Sequence, residues 1–497
     1  MPRSLVDLSD ELHLNIIQQL LKHDELLHEK SLEPDQGQDH QERDDEFQYH
    51  LDLMNWSCTS QYFCNLLAPY IFKSIKLCND EKNGASVDAI LKSPHGALVK
   101  EIYFLGTIPP GMANPEDDED DKPLAEGFFK ELDETKKEEK PITVTFPLVV
   151  DNLLSDLHQF LNLESLSIGF TYPYDSPFDE YYEAEGISDN ENPEAAHAWK
   201  AVITTTYDTL LRNKPRQLRT VAIRKFVWTF TEPYESQSFQ KILSRVEHFS
   251  LSVSGGENGA GWCVNTCDGY LECFAKFDEL FFDHLASVTR LTLGAHEEGP
   301  IGLEGMRHAR LALKKDQMPL LKSLHLEHIF ICQELVDFVI SHTDTLEQLT
   351  LDDCNSSVNG LQDNDAFYWN HFFGALHKGD LKRLSHLEIR PYNAPLTFDE
   401  AMYRKYRSPR KESEEPGDVQ QIRRVLSGDA RRRVFGYAML DGKYGACDND
   451  EEKNQAAFER GEDQFAFDRL MEQVNANATR GREKPNPVGM LRLNLTI

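Results

Sequence analysis

Between Leu98 and Ile389 one short arrangement of apolar and polar positions keeps returning. An apolar residue is followed by two or three others, then by two apolar residues on either side of a single polar one. The copies are Leu98-Val-Lys-Glu-Ile-Tyr-Phe, Leu163-Glu-Ser-Leu-Ser-Ile, Leu218-Arg-Thr-Val-Ala-Ile, Val246-Glu-His-Phe-Ser-Leu, Val288-Thr-Arg-Leu-Thr-Leu, Leu321-Lys-Ser-Leu-His-Leu, Leu346-Glu-Gln-Leu-Thr-Leu and Leu384-Ser-His-Leu-Glu-Ile. Alternation at the end of each copy is the period of a half-buried strand, so eight strands are predicted. The closest copies start 28 and 25 residues apart, room for a strand and one returning helix. Helical returns are expected at Leu271 to Leu285 and at Cys332 to Ile340, where Leu335, Val336, Phe338 and Val339 make an apolar face. Other intervals run from 33 to 65 residues, so insertions lie between copies.

Ahead of these copies the period changes to that of a helix. Leu12, Ile16, Ile17, Leu20 and Leu21 form one apolar stripe, with Ser9 as N-cap and Asp10 and Glu11 in the first turn. A second short helix is expected to carry Leu51, Leu53, Met54 and Trp56. A third should begin at Thr59 or Ser60, present Tyr62, Phe63, Leu66 and Leu67, and end at Pro69.

The frame Leu8-x-x-Glu11-Leu12-x3-Ile16-x3-Leu20, then Leu53-x2-Trp56-Ser57-Cys58-Thr59-Ser60-x2-Phe63-x2-Leu66, resembles an F-box, as in F-box proteins of the fungal type. Ser9 stands where that family usually has Pro, and the interval from Lys22 to His50 is longer than its usual first connection. The recurring copies are similar to the L-x-x-L-x-L strand signature of leucine-rich repeats. Together they imply an α/β fold: a three-helix F-box, then an irregular leucine-rich-repeat solenoid with acidic loop insertions. A doubly wound α/β domain is the alternative architecture, favoured by the irregular spacing. The expected division is an F-box over 1–78 with an acidic insertion at 22–50, a connector over 79–97, and repeats over 98–395 with insertions at 112–140 and 173–194. A basic linker over 396–433 and a C-terminal helical cap over 434–497 would follow.

The resemblance implies a partner set. A Skp-type adaptor would bind at Leu8, Leu12, Ile16, Leu20, Leu53, Trp56, Phe63 and Leu66, bringing cullin and RING subunits, and the repeats would hold a protein substrate. Substrate contacts would come from the single polar position between paired apolar ones, which points away from the core. Those positions are Ser167, Ala222, Ser250, Thr292, His325, Thr350 and Glu388. A non-catalytic repeat scaffold uncoupled from ubiquitin transfer is the competing reading.

Charge narrows the partners further. The net charge is −32, and three segments, Asp24 to Glu46, Glu116 to Lys140 and Asp175 to Glu194, carry −23 of it. Such a chain is a poor match for nucleic acid, whose binding rests on neutralised phosphates. Arg404 to Arg433 reverses the sign with ten bases against five acids. After it Phe458, Phe465, Phe467, Leu470, Met471 and Val474 suit a capping helix. No run of about eighteen apolar residues exists, so no membrane-spanning helix is expected. Acids in the first helix disfavour a signal peptide, and nine scattered cysteines suit a reducing compartment, so a cytoplasmic or nuclear location is expected.

Catalytic signatures are missing: there is no G-x-S-x-G, P-loop or H-E-x-x-H. Cys263, Cys267 and Cys273 do not follow a zinc spacing and read as packed cysteines. His158, His325, His328 and His386 beside the strands are expected to face solvent. The expectation is therefore a binding protein without enzyme chemistry, cofactor or metal.

Overall fold

A computed structural model describes residues 53–108, 143–171, 198–213, 218–227, 231–257, 261–302, 309–357, 367–390 and 417–483, with single positions at 17, 307, 394 and 396. Its centre is a parallel sheet whose nine strands lie side by side in chain order. The strands are β1 (Ser74–Cys78), β2 (Glu101–Gly106), β3 (Ser165–Phe170), β4 (Thr220–Phe226), β5 (His248–Val253), β6 (Arg290–Gly294), β7 (Ser323–Glu327), β9 (Gln348–Asp352) and β11 (His386–Arg390). Between and after them come β8 (Phe330–Ile331), β10 (Asn355–Ser357), β12 (Tyr437–Leu440) and β13 (Cys447–Asn449), which form a second sheet in the order β13-β12-β10-β8.

Register follows from the paired apolar residues. Ile102, Leu166, Val221, Phe249, Leu291, Leu324, Leu349 and Leu387 lie in one row across the main sheet. Phe104, Ile168, Ile223, Leu251, Leu293, Leu326, Leu351 and Ile389 make the next row two residues on. All sixteen are buried in the principal core, and a one-residue slip would turn a whole row outward. Each fully buried aliphatic side chain contributes about 1.5–3 kcal/mol.

The helices Glu81–Lys92, Leu148–Ser155, Ala198–Leu211, Gln333–Ser341 and Trp369–Lys378 contribute to the same core. Local chemistry sets their ends. The Asp80 side chain accepts from Asn83 N–H, and Ser236 accepts from Phe239 N–H at the start of Gln237–Leu243. Aromatic residues fill the middle, with Tyr207, Phe226, Tyr234, Phe239, Phe277 and Phe281 in mutual ring contact. At the β11 side the helix Glu462–Glu483 covers the sheet, with Phe467, Leu470 and Val474 buried. Asn477 there donates to the carbonyls of Leu381 and Leu384 at 2.6 and 2.9 Å.

The architecture corrects the expected one. In place of a three-helix F-box followed by a leucine-rich-repeat solenoid, the protein is an α/β unit built on a nine-stranded parallel sheet, with a second, four-stranded sheet beside it. Ser74–Cys78, assigned to the helical module, is the first strand of the main sheet, because Ile75 and Leu77 alternate with polar neighbours and pair with Ile102 and Phe104. The stretch assigned as a connector contains the helix Glu81–Lys92 and a tight turn at Pro94–Leu98. Residues expected as a helical cap supply strands β12 and β13, and Phe435 and Tyr437 enter the principal core. Part of the expected basic linker is the helix Gly417–Gly428.

Near the N-terminus, Ser60 caps Gln61–Ile71 as anticipated, accepting from Phe63 N–H at 3.3 Å, but Pro69 lies inside that helix instead of ending it. Residues 53–57 are helical. The first expected helix lies outside the described residues except for Ile17, which is buried with Leu53, Phe63 and Leu67. The acidic insertions at 22–50, 112–140 and 173–194 also lie outside the described residues. Among the described residues no helix is long and apolar enough to cross a membrane.

Candidate interaction surface on the open face of the sheet

A parallel sheet ordinarily has both faces covered, and its strands are then apolar throughout. Here most strands alternate buried with half-exposed positions, so one face is packed and the other is open. The central row of that open face runs Lys76, Tyr103, Ser167, Ala222, Ser250, Thr292, His325, Thr350 and Glu388, each paired in register with the next. All the residues expected to contact a partner therefore fall on one line. They come from seven consecutive strands of the sheet.

They are not equally available. Ser167 is 9% exposed, and its Oγ is buried with no hydrogen-bond partner. The cause is Tyr103, which lies across β3: a Cβ placed on Gly169 would come within 2.8 Å of the Tyr103 Oη. Arg224 then stacks on Tyr103, its guanidinium carbon 5.1 Å from the ring centroid, a cation–π contact. The missing side chain at Gly169 makes room for this cover. Ser167 is consequently shielded and is removed from the expected contact set.

Toward β11 the row opens into charge. Asp352 Oδ2 lies 3.6 Å from His325 Nε2 and 3.5 Å from Arg390 Nε, while Arg390 Nε is 3.6 Å from Glu388 Oε1. His386 Nε2 is 3.5 Å from Glu388 Oε2. Burial alone would raise the Asp352 carboxyl, but His325, Arg390 and His328 together outweigh it and leave it below the usual carboxylate range. The anion is held, and with it the orientation of its neighbours.

His328, expected to face solvent, is half-buried. Burial pushes its imidazole down to about 4, against the opposing pull of Asp352, so it is neutral at physiological pH. His328 and Asp353 share a left-handed backbone, with φ of 51° and 45°. Both residue types tolerate that region better than most. Each directly follows a strand, and the chain resumes two residues later as β8 or β10. These turns feed the second sheet. On the same face, two residues before Ser250 on β5, His248 is lowered by burial, with Arg290 adding to the effect.

Tyr103, Arg224, Asp352 and Arg390 lie outside the contact set expected from the sequence, and His386 is expected there only as a solvent-facing histidine. Their signal was available, since Asp352 and Arg390 follow the polar position of their strands by two residues and so share its face.

The expected adaptor-facing residues divide in the same manner. Leu53 and Phe63 are 4% and 2% exposed and form the centre of a small apolar cluster. Trp56 and Leu66 pack against it half-buried, with the Trp56 ring 4.9 Å from that of Phe63. The Trp56 Nε1 is buried without a hydrogen-bond partner. Met54 and Tyr62, at 47% and 38%, are the exposed apolar residues of this segment. Leu8, Leu12, Ile16 and Leu20 lie outside the described residues.

Cys263 and Cys267 are buried free thiols, while the Cys273 side chain lies outside the described ones. Among the described residues no group of three or more His, Cys, Asp or Glu is placed to hold a metal ion. No family model matches the chain, and no curated protein sequence matches it.

Proposed function

We propose that this chain is a receptor for a protein partner, which it holds on the open face of its parallel sheet without catalytic chemistry of its own. The observation carrying this reading is the row from Ser250 to Glu388, five adjacent strands presenting half-exposed polar side chains in register. A surface several strands wide, edged by a charged network at β9 and β11, suits a folded protein or extended peptide better than a small metabolite.

The F-box resemblance extends the proposal. Through the segment carrying Met54, Trp56, Tyr62 and Leu66, the chain would dock on a Skp-type adaptor and so bring its partner to a cullin–RING ubiquitin ligase. The contribution would be effective concentration rather than bond chemistry. A cytoplasmic or nuclear setting goes with this role. Leu53 and Phe63, being buried, would support the surface from within.

Co-purification of the full chain with a Skp-type adaptor tests the ligase part. Capture should be weakened by Met54→Glu and Tyr62→Glu, which alter exposed positions, with unchanged far-UV circular dichroism. Failure of the unmodified chain to capture adaptor at micromolar concentration would leave the second reading, a partner-binding scaffold uncoupled from ubiquitin transfer. That reading rests on the same sheet face.

A further inference from the structure

Away from the open face, the helices Trp369–Lys378, Glu451–Arg460 and Glu462–Glu483 meet β12 around a cavity of about 210 Å³. At roughly 30 Å³ per water this is room for about seven waters, below the range of drug-sized pockets and suited to a small metabolite. Its wall divides chemically into two parts.

One part is rich in acceptors and buried. Asp463 is 5% exposed; its Oδ2 accepts from the Tyr437 hydroxyl at 2.7 Å and its Oδ1 from Asn370 N–H at 2.9 Å. The Asn370 Oδ1 is itself buried with no hydrogen-bond partner, an acceptor left open in the wall. Burial raises the Asp463 carboxyl above its ordinary value, against the bonds from Tyr437 and Asn370. The other part is cationic. Lys453 rests on aromatic faces, its Nζ 4.2 Å from the Tyr368 centroid and 5.8 Å from that of Tyr437, with no carboxylate within ion-pair distance among the described residues. Arg460 also lines the cavity, half-exposed and ion-paired with Glu462, another lining residue, at 3.8 Å from Nε to Oε2.

We propose that this cavity is a binding site for a free α-amino acid, with the ligand carboxylate on Lys453 and Arg460 and its ammonium on the open Asn370 oxygen and Asp463. Each half of the zwitterion meets the complementary half of the wall. A simple anion would satisfy Lys453 and Arg460 and leave the buried Asn370 acceptor unmet, and a simple cation would do the reverse. An unmet buried acceptor is costly, so the two ends together carry the selectivity. The site lies apart from the sheet face and does not depend on the receptor reading.

The test is saturation-transfer NMR and calorimetry on the purified full chain, titrating L-alanine, L-glutamate, acetate, methylammonium and inorganic phosphate through the millimolar range. The amino acids should saturate at least about tenfold more tightly than acetate or methylammonium, as two charge-assisted contacts predict. Lys453→Gln keeps the stem over the tyrosine rings and should weaken amino-acid binding by about tenfold with unchanged circular dichroism. Arg460→Gln, at an exposed helix end, provides a second variant should the first lose its fold. Acetate or phosphate binding as tightly as the amino acids would reduce the cavity to an anion site and overturn the proposal. Absence of saturation, or unchanged affinity in a folded variant, would overturn it as well.

Discussion

Two halves of one sheet face solve the same problem differently. Over β2 to β4 the Tyr103 ring lies against Gly169 with the Arg224 guanidinium on it, and the Ser167 side chain is buried. Over β5 to β11 Ser250, Thr292, His325, Thr350 and Glu388 stay half-exposed among the described residues, and Asp352 lies beside both His325 and Arg390. Both halves rest on the same apolar rows beneath. The difference therefore lies in what the outward positions do, and the β5 to β11 half is the one that presents half-exposed polar groups in register.

The largest expected effects test the shared foundation. Ile168→Ala under the covered half and Leu351→Ala under the open half should each cost about 2–5 kcal/mol, measured by denaturant unfolding. A much smaller cost on one side would mean that the two halves do not share one packed layer.

Acid should separate the halves next. His328 has a folded pKa near 4, below its unfolded value of about 6.5, so the unfolded chain binds the extra proton between them. The stability it contributes is present above pH 6.5 and is lost as pH falls toward 4, with a ceiling of roughly 3 kcal/mol. Asp352, whose folded pKa is depressed, adds stability above its unfolded value that is lost at still lower pH. Thermal melts from pH 7 to 4 should fall, and His328→Asn, a residue that accepts the left-handed turn, should flatten that slope. An unchanged slope would remove His328 from the account.

Overpacking distinguishes the covered half. Gly169→Val drives a side chain into Tyr103 and should cost about 1–3 kcal/mol, whereas at Gly294→Ala the nearest atom is a Glu327 carboxylate oxygen at 3.1 Å, with the rest at ordinary contact distance, and the cost should be smaller. Adding Tyr103→Ala to Gly169→Val should recover part of the loss, and strict additivity would contradict the close contact. The smallest effect belongs to the pairs beside the strand starts. Glu347→Gln, which removes the charge from the 2.7 Å contact with Arg383, should stay within about 1 kcal/mol and fade with added salt.

Much of the main sheet was legible because its strands carry paired aliphatics around one polar residue. All eight recurring segments end on strands β2, β3, β4, β5, β6, β7, β9 and β11. The ninth was missed although Phe72-Lys-Ser-Ile-Lys-Leu has the same spacing with an aromatic in first place. It was absorbed into a helical reading of its neighbours. The expected overall architecture failed for a different reason. Strands β8, β10, β12 and β13 are two to four residues long, too short for alternation to distinguish them from loop or helix, and the second sheet they build was invisible. The surface row was legible by position, but its closure by Tyr103 and Arg224 was not. That depends on which outward side chains meet across neighbouring strands.

The central claim concerns where a partner sits, and site-specific photocrosslinking measures this directly. A photoreactive side chain placed at Thr292 or Thr350 should yield a discrete crosslinked protein in cells, while the same group at Ala222, beside the Tyr103–Arg224 cover, or at exposed Ser86 on a helix should yield far less. Equal yields at all four positions, or products from Ser86 alone, would contradict a binding role for the open face.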